Sequence, residues 1–213
     1  MARVMEHAPR PHDLLRLTPD APPFEGAPGW VAAALARAPF VVVRRAPPLG
    51  GKLAVGVRGS VRGERFGTWI EVGWIKAKFT PEDLRTCEPE PARRELPAFA
   101  LMGGIAGMLD DRALRWGPAG SAGFELASGV PTVTPASDLD LVVRADTPLP
   151  RDDASALFDA LSHAAQQSGT RIDVQIETPE AAFSLAEYAR PQLRVMLRHA
   201  AGPRLVDDPW AAS

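Results

Sequence analysis

The stretch 116-WGPAGSAGFELASGVPTVTPASDLDLVVR-144 has two unlike halves. The first is a glycine-rich turn carrying Gly117, Gly120, Ser121 and Gly123; the second sets Asp138 and Asp140 two apart at the head of an apolar run. Residues i and i+2 of a strand project from the same face. Asp138 and Asp140 therefore point together, and Leu139, Leu141 and Val143 point the other way. Two like charges that close repel, and a core-facing pair would be costly, so the carboxylates face either solvent or a metal. An all-oxygen set suits Mg²⁺ or Mn²⁺, which take one or two carboxylates together with substrate phosphates. The glycines permit positive φ and close backbone approach, so N–H groups and the Ser121 hydroxyl are placed to cradle phosphate oxygens. The turn has no Gly-Lys-Ser/Thr ending, which excludes a Walker A loop, and it is not a dinucleotide fingerprint.

Downstream, "DDASALFDALSHAAQQSG" puts Leu157, Phe158, Leu161 and Ala165 on one helical face and closes at Gly169. "RIDVQIE" (171–177) follows as a strand. A helix between two strands is the crossover that parallel pairing needs. With the two strands side by side, Asp173 completes a triad with Asp138 and Asp140. Thr178-Pro179 predicts a further helix through "EAAFSLAEYA" that stops before Pro191, and "QLRVMLRH" alternates like a half-exposed strand. Upstream, "AFALMGGIAGML" (98–109) reads as an apolar helix weakened by its glycines, and "ALRWG" as a strand entering the turn.

The segment "CEPEPARRELP" (87–97) mixes prolines with charges of both signs and reads as a linker. Before it the chain is β-rich, with runs at 40–45, 52–59 and 69–79, and residues 30–38 form a short helix candidate. The element order predicts an α+β fold: a β-rich N-terminal domain over residues 1–90, then a domain over 91–213 that carries the carboxylates, with a mixed sheet and packed helices. At 213 residues the chain is long enough to bury a real core. A formal net charge of −2 offers no global attraction for nucleic acid or a membrane, so any phosphate site must be local. The single cysteine, Cys87, excludes an intramolecular disulfide and a thiolate metal cluster. The opening "MARVMEHAPRPHDLL" lacks the apolar run of a signal peptide, and no stretch approaches the roughly 18 apolar residues of a spanning helix. The expectation is a cytoplasmic protein without nucleic acid or membrane partners. Arg58, Arg62, Arg65, Lys76 and Lys78 form a basic set in the N-terminal half, read as phosphate capture or as plain solvated charge. Arg115 and Arg144 lie nearer the carboxylates and are the better candidates for binding substrate.

A Gly-Ser turn, an Asp-x-Asp strand and a third aspartate on a neighbouring strand resemble the nucleotidyltransferase superfamily typified by polymerase β. The resemblance implies two-metal chemistry: ions held at Asp138, Asp140 and Asp173 bridge a polyphosphate and the attacking hydroxyl, and the third carboxylate helps deprotonate that hydroxyl. Sixteen residues (122–137) separate Ser121 from Asp138, more than is usual there, which predicts an inserted hairpin through "FELASGVPTVTPA".

A narrower likeness rests on "PHDLLRL", "WGPAGSAGFELASG", "SDLDLVVR", "RIDVQIETPEAAFSLAEYAR" and "GPRLVDDPW". Together they are similar to the phosphoribosyl-dephospho-CoA transferases, which serve bacterial malonate decarboxylase as holo-acyl-carrier-protein synthases. The likeness is strong over 116–190 and scattered elsewhere. It implies 2′-(5″-triphosphoribosyl)-3′-dephospho-CoA as donor, a serine of the decarboxylase's acyl carrier protein subunit as acceptor, and pyrophosphate as by-product. It further implies that Asp138 and Asp140 hold metal, that Asp173 is a third ligand or the base, and that Gly120 and Ser121 meet the triphosphate. A nucleotidyltransferase of the same fold acting on a small molecule or another acceptor is the alternative, and the net charge of −2 speaks against RNA work.

Overall fold

The structure, a computed structural model, describes residues 7–47, 49–61, 63–190 and 194–211. Arg62 of the basic set, and Gln192 and Leu193 of the expected strand "QLRVMLRH", lie outside the described residues. The chain divides into two compact units, Met1–Thr80 and Pro81–Ser213.

The first unit comprises β1 (Leu14–Leu17), α1 (Gly29–Arg37), β2 (Phe40–Val43), β3 (Leu53–Arg58), β4 (Arg65–Ile70) and β5 (Ile75–Phe79). Its sheet is antiparallel throughout, in the order β4-β3-β2-β1-β5. Leu15, Val41, Val55 and Ile70 fill one face and meet Val31 of α1. The expected run 69–79 is two strands at opposite edges of the sheet, parted by a tight turn at Val72–Trp74. Apolar content could not reveal that break, because the turn is itself "VGW". Arg58 and Arg65 of the basic set are cross-strand partners at one end of the β3–β4 pair.

The second unit runs α2 (Pro81–Leu84), α3 (Pro97–Asp111), β6 (Arg115–Pro118), α4 (Gly120–Ser128), β7 (Leu139–Arg144), α5 (Arg151–Gln167), β8 (Ile172–Glu177), β9 (Ala181–Ser184), α6 (Leu185–Tyr188), β10 (Val195–His199) and β11 (Gly202–Val206). Its six-stranded sheet has the order β11-β10-β9-β8-β7-β6 and is mixed: β7 and β8 are parallel, and the other neighbours are antiparallel. Leu139, Leu141, Val143, Val174 and Ile176 share one core with Ile105 and Leu109 of α3 and Leu157 and Leu161 of α5. The α+β class expected from the element order is the observed one. Among the described residues no helix is long and apolar enough to cross a membrane.

Four local expectations change. The division between the units falls at Thr80/Pro81, ahead of the 87–97 segment and of the expected 90/91 boundary. The cause is packing: a Cβ on Gly117 of β6 would sit 1.8 Å from the Pro81 carbonyl oxygen, so α2 lies directly on the second sheet. The 87–97 segment holds a short helical turn at Pro91–Arg93, whose Arg93 binds Glu125. No hairpin fills 124–136; α4 continues to Ser128, Gly129 closes it with φ +72°, and an irregular loop leads back to β7. The expected helix over 180–189 is β9 followed by the short α6. Its Ala and Glu residues favour helix, but Ala181, Ala182 and Phe183 are buried between β8 and β10, and tertiary pairing overrides propensity.

Phe183 anchors this corner. Its ring meets Tyr188 at 5.0 Å and Trp210 at 5.3 Å between centroids, both edge-on. Trp210 in turn donates its indole N–H to the Ala145 carbonyl at 2.9 Å, just past β7. Phe183→Ala should cost about 3–5 kcal/mol of stability, measured by denaturant unfolding of the whole chain; a change below about 1 kcal/mol would show that this cluster does not hold β9 in the sheet.

Candidate active site

β7 and β8 pair in a register that sets Leu139 beside Ile172 and Asp140 beside Asp173. One step earlier on each strand stand Asp138 and Arg171, joined by a two-pronged ion pair: Arg171 Nε donates to Asp138 Oδ1 at 2.9 Å and Nη2 to Oδ2 at 2.9 Å. Asp138 lies on the same face as Asp140, since residues two apart in a strand share a face; in this row Asp173 is exposed and the other two are half-buried. The opposite face carries Leu139, Leu141 and Val143, each at most 1% exposed, so burial pins which side the carboxylates occupy. Asp138 and Arg171, but neither Asp140 nor Asp173, border an open cavity of about 360 Å³ whose lining also includes Pro135, Ala136, Gln166 and Thr170.

The Gly-Ser corner arrives at the same place. Ala119 donates its N–H to the Asp140 carbonyl at 2.9 Å, and α4 starts at the next residue. Gly120 has φ +56°, and a Cβ there would fall 1.8 Å from Asp140 Oδ2, so backbone conformation and space both demand glycine. The first turn of any helix leaves N–H groups without intrahelical acceptors, and no side chain caps α4. Gly120 and Ser121 thus present a helix amino end, favourable to anions, against the Asp140 carboxylate.

This end of α4 is held by Glu125, 5% exposed. Its carboxylate accepts from Arg93 Nε, from Arg93 Nη2 at 3.0 Å, and from the backbone N–H groups of Thr132 and Val133 at 2.7 and 2.8 Å. Thr132 also donates its hydroxyl to the Ser121 carbonyl at 2.9 Å. The loop after α4 is therefore clamped over the helix that carries Gly120 and Ser121. Burial pushes the Glu125 carboxyl up, but Arg93 and the two backbone donors outweigh it and hold it below the usual carboxylate range.

Arg115 and Arg144 do not join this row. Arg144 sits at the far end of β7, four residues and roughly 13 Å from Asp140. Its side chain is 2% exposed and its Nε lies 3.0 Å from Glu82 Oε1 of α2. Arg115 lies 3.3 Å from the same oxygen and 2.8 Å from Asp146 Oδ2. These arginines tie α2 and the end of β7 to the sheet, so the structure places the two arginines expected to bind substrate apart from the carboxylate row. Removing one partner of a buried pair costs about 3–5 kcal/mol, so Arg144 is not available for exchange with a ligand.

The oxygen-only donor set, left uncovered by the missing Cβ of Gly120, suits a hard divalent cation. Among the described residues no three carboxylate, imidazole or thiolate groups are gathered closely enough to hold one. Asp138, Asp140 and Asp173 are aligned but not gathered, and the Asp138 carboxylate is engaged by Arg171.

Two family descriptions cover nearly all of this framework. The C-terminal domain of the phosphoribosyl-dephospho-CoA transferase MdcG matches residues 84–209, and the N-terminal domain matches residues 10–81. The chain belongs to this transferase family. The phosphoribosyl-dephospho-CoA transferase of Pseudomonas aeruginosa is 42% identical over 202 residues, covering 95% of this chain and 94% of its own length. That of Pseudomonas putida is 43% identical over 205 residues, covering 96% and 97%. That of Azotobacter vinelandii is 41% identical over 204 residues, covering 95% and 94%. No solved structure matches the chain.

Two arginines whose ion pairs shape this site escape a sequence reading. Arg93 lies in the segment taken for a linker, and Arg171 is an unremarked charge at the head of "RIDVQIE". The spacing Arg-x-Asp is the one available signal for Arg171, since it repeats the alternation that pairs Asp138 with Asp140.

Gly120→Ala should reduce transferase turnover at least about tenfold, because the new methyl group displaces the Asp140 carboxylate; wild-type kinetics in that variant would show the contact to be irrelevant. Glu125→Ala removes the shared acceptor of Arg93, Thr132 and Val133 and should cost about 2–4 kcal/mol near neutral pH. Because the folded carboxyl is held below its ordinary value, this contribution is complete above the ordinary value of about 4.3 and is lost as pH falls through the depressed one. Urea unfolding of wild type and variant at descending pH should therefore converge in strong acid.

Proposed function

We propose that this transferase moves the phosphoribosyl-dephospho-CoA group from 2′-(5″-triphosphoribosyl)-3′-dephospho-CoA to a serine of the malonate decarboxylase acyl carrier protein subunit, with release of pyrophosphate. The observation that carries the reading is the row of Asp138, Asp140 and Asp173 on one sheet face, with the amino end of α4 against it, in a chain of this family. In the reaction the serine oxygen bonds to the α-phosphorus of the donor. The bond from that phosphorus to the oxygen it shares with the β-phosphate breaks, and pyrophosphate leaves with the electron pair. The serine proton passes to a carboxylate oxygen, for which Asp173, the most exposed of the three aspartates, is the best placed.

Gly120 and Ser121 receive the triphosphate through backbone N–H groups at the start of α4 and through the Ser121 hydroxyl. Glu125 and Arg93 keep that helix end and its covering loop in one arrangement, so the phosphate donors are set before substrate arrives. Asp138, Asp140 and Asp173 would hold Mg²⁺ or Mn²⁺, which supplies neutralisation of the charge that builds on the leaving pyrophosphate. The acceptor hydroxyl must approach from the open side of the row, because the other side is the core beneath Leu139 and Leu141.

The test is a transfer assay with purified enzyme, Mg²⁺, the triphosphoribosyl donor and the carrier subunit, read by intact mass. The carrier should gain one phosphoribosyl-dephospho-CoA, and the gain should vanish with EDTA. Asp140→Asn should lower the rate at least about a hundredfold with the far-UV circular dichroism unchanged, since the buried face of β7 is untouched. Near-normal turnover in that variant would sink the triad. No mass shift with folded wild-type enzyme would reject this donor and acceptor.

A further inference from the structure

Arg171 and Asp138 pair one step before β8 and β7 begin, two residues before Asp173 and Asp140 respectively. Three carboxylates in one row need a cation, and in the chain alone that cation is a guanidinium. The pair is exposed, with 79% of the Arg171 side chain and 38% of the Asp138 side chain open to solvent. It is therefore of the exchangeable kind, unlike the buried contact of Arg144 with Glu82. The guanidinium fork that fits both oxygens of a carboxylate fits two oxygens of a phosphate equally well. Each Asp138 oxygen already accepts one guanidinium N–H, so a metal ion at that carboxylate competes with Arg171 for it.

We propose that Arg171 is a donor-phosphate-binding residue that clamps Asp138 until metal and donor arrive, and then exchanges that carboxylate for phosphate oxygens of the donor. The inference rests on the metal-triad reading above. It explains why three aligned aspartates are not gathered into a ligand set: one of them is held by the arginine. It also makes metal and donor mutually favourable, because each ligand removes a partner that competes with the other.

The consequence has opposite signs for the two ligands, which a merely structural arginine would not produce. Mn²⁺ binding is measured by water-proton relaxation in the absence of substrate, and pyrophosphate binding by calorimetry at saturating Mg²⁺. Arg171→Ala should bind Mn²⁺ about threefold more tightly than wild type and pyrophosphate about tenfold more weakly. Asp138→Asn serves as the control for the underlying reading and should weaken Mn²⁺ binding. If it does not, the metal triad itself is wrong. If it does, while Arg171→Ala leaves Mn²⁺ affinity unchanged or lowered, or leaves pyrophosphate affinity unchanged, the exchange is overturned and the triad stands.

Discussion

Parallel pairing of β7 with β8 is the constraint on which the rest of the second unit turns. Adjacent parallel strands need a crossover, and α5 supplies it by burying Ala154, Leu157, Leu161 and Ala165 against the sheet. The register is pinned from below: Leu139, Leu141, Val143, Val174 and Ile176 must all remain in the core. A slip of one residue would turn Ile172 to solvent and Asp173 into the apolar layer. The adjacency of Asp140 and Asp173 is thus maintained by burial on the face that the chemistry does not use.

The two ends of β7 divide the labour of its charged residues. At the far end Arg144 is buried with Glu82, and Arg115 shares that carboxylate and reaches Asp146, so α2 is fastened to the sheet. At the near end Asp138 meets Arg171 in solvent, where the contact can be given up. Similar ion pairs serve opposite purposes because burial decides whether a charge can leave its partner. The amino end of α4 is kept beside Asp140 by the Arg93–Glu125 contact and the loop bonds that converge on Glu125.

Much of this was legible in the sequence. The alternation in "DLDLVVR" and "RIDVQIE", with an amphipathic helix between, implies parallel strands and a shared carboxylate face, and the structure has both. The Gly-Ser corner was legible as a place of close approach, though not that the approaching group is Asp140 itself. Other elements were not. β9 is spelled in helix-favouring residues, and only the strands on either side of it make "AAF" extended. Arg93 sits in proline-rich text that reads as a linker, and its role exists because Glu125, 32 residues on, folds back to it.

What the sequence determined by itself is whatever depends on local periodicity: which residues share a face, where a helix must intervene, and that glycine is needed at the corner. These follow from the backbone geometry of strands and helices, which is the same in every protein. What only the tertiary structure decided is the partner of each charge. Arg115 and Arg144 carry the same charge as Arg171 and lie closer in the chain to the Asp-x-Asp pair or to the turn before it. They were nonetheless drawn into contacts with Glu82 and Asp146, while Arg171 was set on Asp138. Coulombic attraction acts through space at whatever distance folding leaves, and the position of α2 over β6 is set by packing that no stretch of sequence spells out.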